Sequence, residues 1–140
     1  MKINIIYDTK YGNNKKIAEY VKNSLENNNV KTFFVKDTDP DYIRGADLYI
    51  FSTPVKKGKA TKRMKRFVKN LDIDGGDVNY GLITTHVRGK ISTPDELEKM
   101  LKKNNLQKKG DTLTLKVEKK KDPLEKGYEK ELDKFLKQIL

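Results

Sequence analysis

The sequence predicts an α/β protein in which a doubly wound parallel sheet of five strands has helices on both faces. The first observation is that short, β-branched apolar runs alternate with segments whose apolar residues recur at helical spacing. The second is that a crossover segment follows each early strand, as parallel pairing requires. The length of 140 residues suits one domain, and neither a linker nor an internal repeat divides it. We therefore expect residues 1–140 to form a single domain.

Three strands and one helix are predicted in the first half of the chain. The strands are short, largely apolar runs at residues 2–7, 30–35 and 46–51. Between the first two, apolar residues from 17 to 25 recur at helical spacing, and Asn13 or Asn14 is expected to cap this helix. Residues 27–29 are expected to end it. Residues 37–45 then form a turn-rich connection to the third strand.

Two strands and three helices are predicted in the second half. The strands are residues 80–85 and 112–117. The first of these helices carries its apolar face at Met64, Phe67, Val68 and Leu71. The second begins at Thr93-Pro94-Asp95-Glu96, which has the spacing of a capping box with proline at the first helical position. Gly75-Gly76-Asp77 predicts a turn before the fourth strand, and Asp122-Pro123 predicts the start of the last helix. The apolar face of that helix is predicted at Tyr128, Leu132, Phe135, Leu136 and Ile139.

The composition excludes several kinds of chemistry. The chain has no cysteine and a single histidine, His86, so disulfides, thiolate chemistry and histidine-rich metal sites are impossible, and we predict no metal site. No window approaches the roughly 20 apolar residues that a membrane helix needs, and the first residues do not resemble a signal peptide. We therefore expect a soluble, cytoplasmic protein that does not act at a membrane.

The positive charge is concentrated in one segment. The net charge is +11, and residues 56–69 contain eight Lys and Arg with no acidic residue. Such a field attracts an acidic partner surface, although a solvated helix face explains the same pattern. The cations are 27 lysines and four arginines, whereas base readout relies on arginine and single-strand binding on stacking aromatics. The composition thus disfavours specific nucleic-acid recognition and favours a lysine-rich surface that serves solubility or electrostatic docking.

Three predicted loops converge on one edge of the sheet. In the doubly wound strand order 2-1-3-4-5, the ligand crevice is lined by the loops after strands one, three and four, here residues 8–14, 52–58 and 84–89. The first loop leads from a strand into a helix through Thr9, Gly12, Asn13 and Asn14, with Lys10 adding charge. Backbone N–H groups and the positive helix end in such a turn suit a phosphate, although many similar turns only reverse the chain. The Gly-rich motifs of nucleoside-triphosphate and dinucleotide sites are absent from the sequence.

Residues 5–19, IIYDTKYGNNKKIAE, resemble the opening strand, phosphate loop and first helix of the flavodoxin family. The Tyr-Gly pair in this segment is similar to the flavodoxin domains of flavodiiron proteins. The family's third strand and flavin loop resemble residues 45–54, GADLYIFSTP. The resemblance covers nearly the whole chain. It implies a flavodoxin-like sheet of order 2-1-3-4-5 and FMN as the cofactor.

The resemblance also implies which residues bind FMN. The phosphate would be held by the first loop and the flavin would lie between the other two, so the implied residues are Thr9, Lys10, Tyr11, Gly12, Asn13 and Asn14; Ser52, Thr53, Pro54 and Val55; and Thr85, His86, Val87, Arg88 and Gly89. The chain departs from the family in three ways. Asn14 stands where a hydroxyl residue is usual, Val55 and His86 stand where aromatics usually flank the flavin, and the chain is basic where flavodoxins are usually acidic.

These observations predict an FMN-binding electron carrier without a catalytic side chain. Its redox partner is expected to have an acidic docking surface. One alternative is an FMN-dependent NAD(P)H/quinone or protoporphyrinogen-type oxidoreductase, because a flavin without flanking aromatics leaves room for a stacked substrate. A second alternative is a flavin-free binding module that docks through residues 56–69. A receiver domain is excluded because residues 51–54, after the third strand, lack the aspartate that accepts its phosphoryl group.

Overall fold

Strands and helices alternate along the chain. The structure, a computed structural model, describes residues 1–73 and 76–140. Within them the strands are β1 (Lys2–Tyr7), β2 (Asn29–Phe34), β3 (Leu48–Lys56), β4 (Lys59–Ala60), β5 (Val78–Val87), β6 (Leu106–Lys108) and β7 (Leu113–Val117). The α-helices are α1 (Asn13–Ser24), α2 (Lys62–Lys69), α3 (Asp95–Lys103) and α4 (Tyr128–Ile139), and short 3-10 turns lie at Val35–Asp37 and Pro40–Ile43. Among these helices, none is long and apolar enough to cross a membrane.

The sheet has the predicted doubly wound topology. Its hydrogen-bonded order is β2-β1-β3-β5-β6, and all of these pairings are parallel. The fifth position is shared by two strands, because β7 pairs with the later part of β5, beyond β6. β4 adds a short antiparallel hairpin to the end of β3. The predicted order 2-1-3-4-5 is therefore confirmed, with the outer strand divided in two.

Each face of the sheet has its own apolar core. Successive residues of β1 point to opposite faces, so Ile5 packs with the α1 and α4 side and Ile6 with the α2 and α3 side. The first core is closed by apolar residues of α1 and α4, including Ile17 and Phe135, and the second by residues of α2 and α3, including Phe67. This burial of both faces explains why the central strands are almost continuously apolar.

Two central strands are longer than predicted. β3 continues through Lys56 and β5 through Val87, so most of the predicted loops 52–58 and 84–89 is strand. Serine and proline are common in turns, yet here Thr53 pairs with Thr84 and Pro54 with Thr85 in the parallel ladder. Threonine is β-branched and suits a strand, and its hydroxyl finds partners here at the strand ends.

The predicted helix caps are partly wrong. Gly12, with φ 96°, is the N-cap of α1, and neither neighbouring asparagine caps the helix. α1 ends at Ser24, earlier than expected, and β2 begins at Asn29. At α3 the N-cap is Pro94, without a side-chain cap, so the capping box at Thr93 does not form. Local sequence reports which residues can cap a helix, whereas tertiary contacts decide where it begins.

The last helix also starts later than predicted. α4 begins at Tyr128 after Gly127, because residues 118–127 first turn back and Leu124 bridges to Val117. The apolar face predicted for this helix does lie in the core. Of the predicted turn before the fourth strand, Gly75 lies outside the described residues, while Gly76 and Asp77 have φ of 58° and 59°.

Candidate functional site

Asn14 joins the three segments that were predicted to form the site. Its side-chain amide donates to Ser52 Oγ at 3.1 Å, and its carbonyl oxygen accepts from Thr85 Oγ1 at 3.3 Å. The residue lies in the first turn of α1 and is only 2% exposed. The ends of β1, β3 and β5 therefore meet as predicted. Asn14 links them from inside the protein, where one of its amide hydrogens is already engaged.

Gly12 and Thr9 give the first loop its shape. Gly12 has a left-handed backbone, and its N–H donates to Thr9 Oγ1 at 2.9 Å. The Thr9 hydroxyl accepts this bond, so its own hydrogen remains available to a ligand. No atom lies within 4 Å of the position that a Cβ on Gly12 would take. The loop therefore offers open space beside the first N–H groups of α1, which carry partial positive charge.

Four lysines surround the mouth of the site, and we call Lys10, Lys56, Lys120 and Lys121 the lysine rim. Lys10 and Lys121 have their ammonium groups 5.6 and 5.8 Å from the centre of the Tyr11 ring. The pKa of Lys56 is held below its ordinary value chiefly by the adjacent Lys120, with a further contribution from Lys10. Like charges gathered this closely favour an anion at the same place.

Tyr11 and Asn13 complete the first loop. The Tyr11 ring is 42% exposed between Lys10 and Lys121. The Asn13 side chain donates to the Asp122 carbonyl at 2.9 Å, which ties the loop to the segment before α4. The Asn13 side chain is thus engaged within the protein, and its backbone N–H lies in the first turn of α1.

His86 is a buried strand residue. It is 2% exposed, and its Nε2 lies 2.8 Å from Thr84 Oγ1, two positions earlier on the same face of β5. Among the described residues, no hydrogen-bond partner meets its Nδ1. Burial lowers the pKa of the imidazole, and the backbone of Lys90 opposes this shift. The prediction that places His86 in the loop 84–89 is therefore wrong, because the residue belongs to β5 and is buried.

The segment after β3 forms a hairpin instead of an open loop. Ser52 and Thr53 are fully buried, and the Thr53 hydroxyl donates to the Pro54 carbonyl at 3.1 Å. Val55 pairs with Ala60 of β4 around a tight turn, and the Gly58 N–H donates to Ser92 Oγ at 2.7 Å. This side of the site is therefore a hairpin whose turn is held by the hydrogen bond to Ser92.

The segment after β5 is held from the opposite side. Val87 is half-buried and packs on the α1 and α4 core, and Gly89 has φ 78°. The Arg88 side chain pairs with Glu125 at 2.9 Å and Glu118 at 3.6 Å. The positive charge of Arg88 is therefore partly neutralised by these two carboxylates.

Sequence reasoning missed the role of Asp8. Its side chain is fully buried at the end of β1, 2.8 Å from the Arg63 guanidinium of α2, and it accepts a hydrogen bond from Thr61 Oγ1. The available signal was a carboxylate directly after a buried strand, because such a group needs a cationic partner.

The fold defines a protein of the flavodoxin-like class, with a crevice at the carboxyl ends of the central strands. The particular family follows from the sequence, since the family model described as "Flavodoxin domain" matches residues 4–107. The chain therefore belongs to the flavodoxin domain family, which confirms the resemblance found in the sequence. Among curated proteins, none matches the chain.

Solved structures share the fold across nearly the whole of this chain. Flavodoxin 2 from Bacillus cereus has a TM-score of 0.80 at 16% identity, covering 99% of this chain and 97% of that one. The Fusobacterium nucleatum flavodoxin bound to flavin mononucleotide has a TM-score of 0.75 at 20% identity, covering 99% and 96%. The Flv1 flavodiiron core from Synechocystis gives 0.70 at 17%, covering 99% of this chain and 36% of that larger one. At these identities the likeness concerns the fold.

Proposed function

We propose that this protein binds FMN and transfers electrons to a redox partner. The observation that carries the proposal is the open turn at Gly12, where a left-handed glycine, the Thr9 hydroxyl and the start of α1 face space that the protein leaves empty. Membership of the flavodoxin domain family and the FMN-bound relative from Fusobacterium nucleatum support the choice of ligand.

The first loop fits the phosphate of FMN. The Thr9 hydroxyl hydrogen and the backbone N–H groups of Asn13 and Asn14 would supply the donors, because a helix N-terminus favours an anion. Lys10 and the rest of the lysine rim would add the countercharge. The Asn14 side chain acts differently from the hydroxyl residue usual in the family, since it holds Ser52 and Thr85 together beneath the loop.

The flavin ring would lie between the β3–β4 hairpin and residues 85–89. Residues 52–60 of the hairpin and residues 85–89 contain no Phe, Tyr or Trp, so the ring would be held by backbone edges and small side chains such as Val55 and Val87. When bound, FMN supplies one- and two-electron chemistry. The protein's own contribution is to fix the ring's position, to limit water beside it and to surround it with positive charge.

The partner would present an acidic surface. Of the eight cations in residues 56–69, Arg63 is paired with Asp8 and Lys65 lies 4.0 Å from Glu96. The other six form no ion pair with any described residue and are exposed: Lys56, Lys57, Lys59, Lys62, Arg66 and Lys69. Several of them lie at the end of β3, beside the site, so the same charge that favours the phosphate would also orient an acidic partner.

The decisive experiment compares FMN with riboflavin as ligands of the flavin-free protein. We expect FMN to bind at least tenfold more tightly, because only FMN carries the phosphate. Equal affinities would remove the phosphate-loop assignment. Binding of neither ligand would refute the electron-carrier proposal and favour the flavin-free module that docks through residues 56–69. Saturable turnover of NAD(P)H or a quinone by the FMN-loaded protein would favour the oxidoreductase.

A further inference from the structure

We infer that Asp8 and Arg63 form a positioning pair that shapes the phosphate loop and removes negative charge from beside it. The inference rests on the proposed function, because the loop is assigned to the FMN phosphate there. Asp8 joins the end of β1 to that loop, and Arg63 reaches it from α2. The two residues are 55 positions apart in the sequence, so this contact joins α2 to the loop after β1.

Asp8 is bonded on every side. Its carboxylate accepts from the Thr9 N–H at 2.9 Å and from Arg63 Nε at 3.3 Å, besides the 2.8 Å ion pair with the Arg63 terminal nitrogen. Thr61 Oγ1 also donates to it. Its own N–H donates to the Ser52 carbonyl at 3.0 Å. A buried carboxylate with this many donors is held in one orientation.

Arg63 makes a second contact with the same loop. The terminal nitrogen that meets Asp8 also donates to the Thr9 carbonyl at 3.1 Å. Arg63 thus holds both the residue before the phosphate loop and the first residue of that loop. The Thr9 hydroxyl in turn accepts a hydrogen bond from the Gly12 N–H, so the contacts of Arg63 also help to fix the turn at Gly12.

The position of Arg63 is itself constrained. Its guanidinium lies 5.4 Å from the centre of the Phe34 ring, which stacks on Tyr7 at 5.3 Å. Thr61, which donates to Asp8, is the N-cap of α2 and accepts from the Met64 N–H at 3.1 Å. The start of α2 is therefore built around this carboxylate, and Arg63 has little freedom to leave it.

Charge gives the pair a second effect. An unneutralised carboxylate at position 8 would repel a phosphate held by the following residues. Arg63, which is 39% exposed in its side chain, supplies the compensating charge from the solvent side. Removing Arg63 should therefore harm phosphate binding more than removing the charge of Asp8, because only the first change leaves a buried anion next to the loop.

The test uses Arg63→Met, Asp8→Asn and the double variant, with titrations of FMN and riboflavin. We expect Arg63→Met to weaken FMN binding about tenfold while riboflavin affinity changes less than about threefold. The double variant should bind FMN more tightly than Arg63→Met alone, because it no longer carries the unpaired buried carboxylate of Asp8. Glu98→Gln, which breaks the 2.7 Å pair with Lys108 in α3 and β6, is the matched control and should leave both affinities unchanged.

The outcomes separate this inference from the proposed function. If the unmodified protein does not bind FMN more tightly than riboflavin, both the proposed function and the positioning pair are refuted. If it prefers FMN but Arg63→Met weakens FMN and riboflavin equally, or the double variant regains nothing, only the positioning pair is refuted. Should Arg63→Met not fold, Arg63→Lys replaces it. A single ammonium cannot reproduce the guanidinium's contacts to Asp8 and Thr9, so the preference for FMN should still fall.

Discussion

Two glycines with the same geometry allow the phosphate loop to be tested cleanly. Gly12 caps α1 with φ 96° and ψ −7°, and Gly127 caps α4 with φ 89° and ψ 1°. At neither position would a Cβ meet another atom within 4 Å. Replacement by alanine therefore introduces backbone strain without a clash. The strain should lower the free energy of unfolding by about 1–2 kcal/mol at either site.

The two variants should differ in ligand binding. Gly12→Ala places a methyl group in the space assigned to the phosphate and favours a backbone that turns the loop's N–H groups away. We expect FMN affinity to fall at least tenfold, whereas Gly127→Ala should stay within about twofold of the unmodified protein. Urea unfolding of the flavin-free proteins gives the stability change. Titration with FMN, followed by its visible absorption, gives the affinity.

Three results would contradict this reasoning. Unchanged FMN affinity in Gly12→Ala would mean that the loop does not hold the phosphate. An equal loss in Gly127→Ala would mean that FMN binding follows overall stability instead of the local turn. A stability loss in Gly12→Ala far beyond that of Gly127→Ala would mean that Gly12 is not as open as its surroundings indicate.

Three further predictions concern Gly81 in the core, His86 and the lysine rim. A Cβ on Gly81 would lie 2.9 Å from Phe135 Cζ, so Gly81→Ala should cost about 1–3 kcal/mol in urea unfolding, and Phe135→Leu in the same chain should recover part of that cost. Because burial holds the pKa of His86 below its ordinary value, the unfolded chain takes up the proton first as the pH falls below about 6.5. The unmodified protein should therefore lose more stability than His86→Gln between about pH 7 and pH 5, and parallel losses would refute this account. Oxidation of the reduced FMN form by anionic ferricyanide should slow with added salt. It should also be slower in Lys56→Glu than in Lys137→Glu, whose substitution lies on the last turn of α4. A rate that changes with neither salt nor the position of the substitution would refute electrostatic docking.

The sheet was predictable because its signals are local and its connections obey general rules. β1 has the predicted bounds, and the apolar face of α4 was identified from its spacing alone. The strand order follows from right-handed crossovers together with the family resemblance. The length of β3 was underestimated because Ser52, Thr53 and Pro54 suit turns as well as strands, and only their pairing with β5 decides.

The site was predictable as a set of segments but not as a set of contacts. Asn14, Ser52 and Thr85 do meet, as their places at the strand ends indicated. That Asn14 is an internal link depends on burial, which the pattern around it does not reveal. The pairing of Asp8 with Arg63 joins residues with no local relationship, so no sequence window contains it.

The division of the outer strand affects how the sheet meets other chains. β6 has three residues and β7 has five, and between them Gly110 takes a left-handed backbone against Ile139 and Gln138. A long, regular edge would offer a row of free N–H and C=O groups on which a second copy could add a strand. The interruption leaves two short edges beside different parts of β5. This irregularity disfavours strand addition at this edge of the sheet, even when added salt screens the repulsive positive charge.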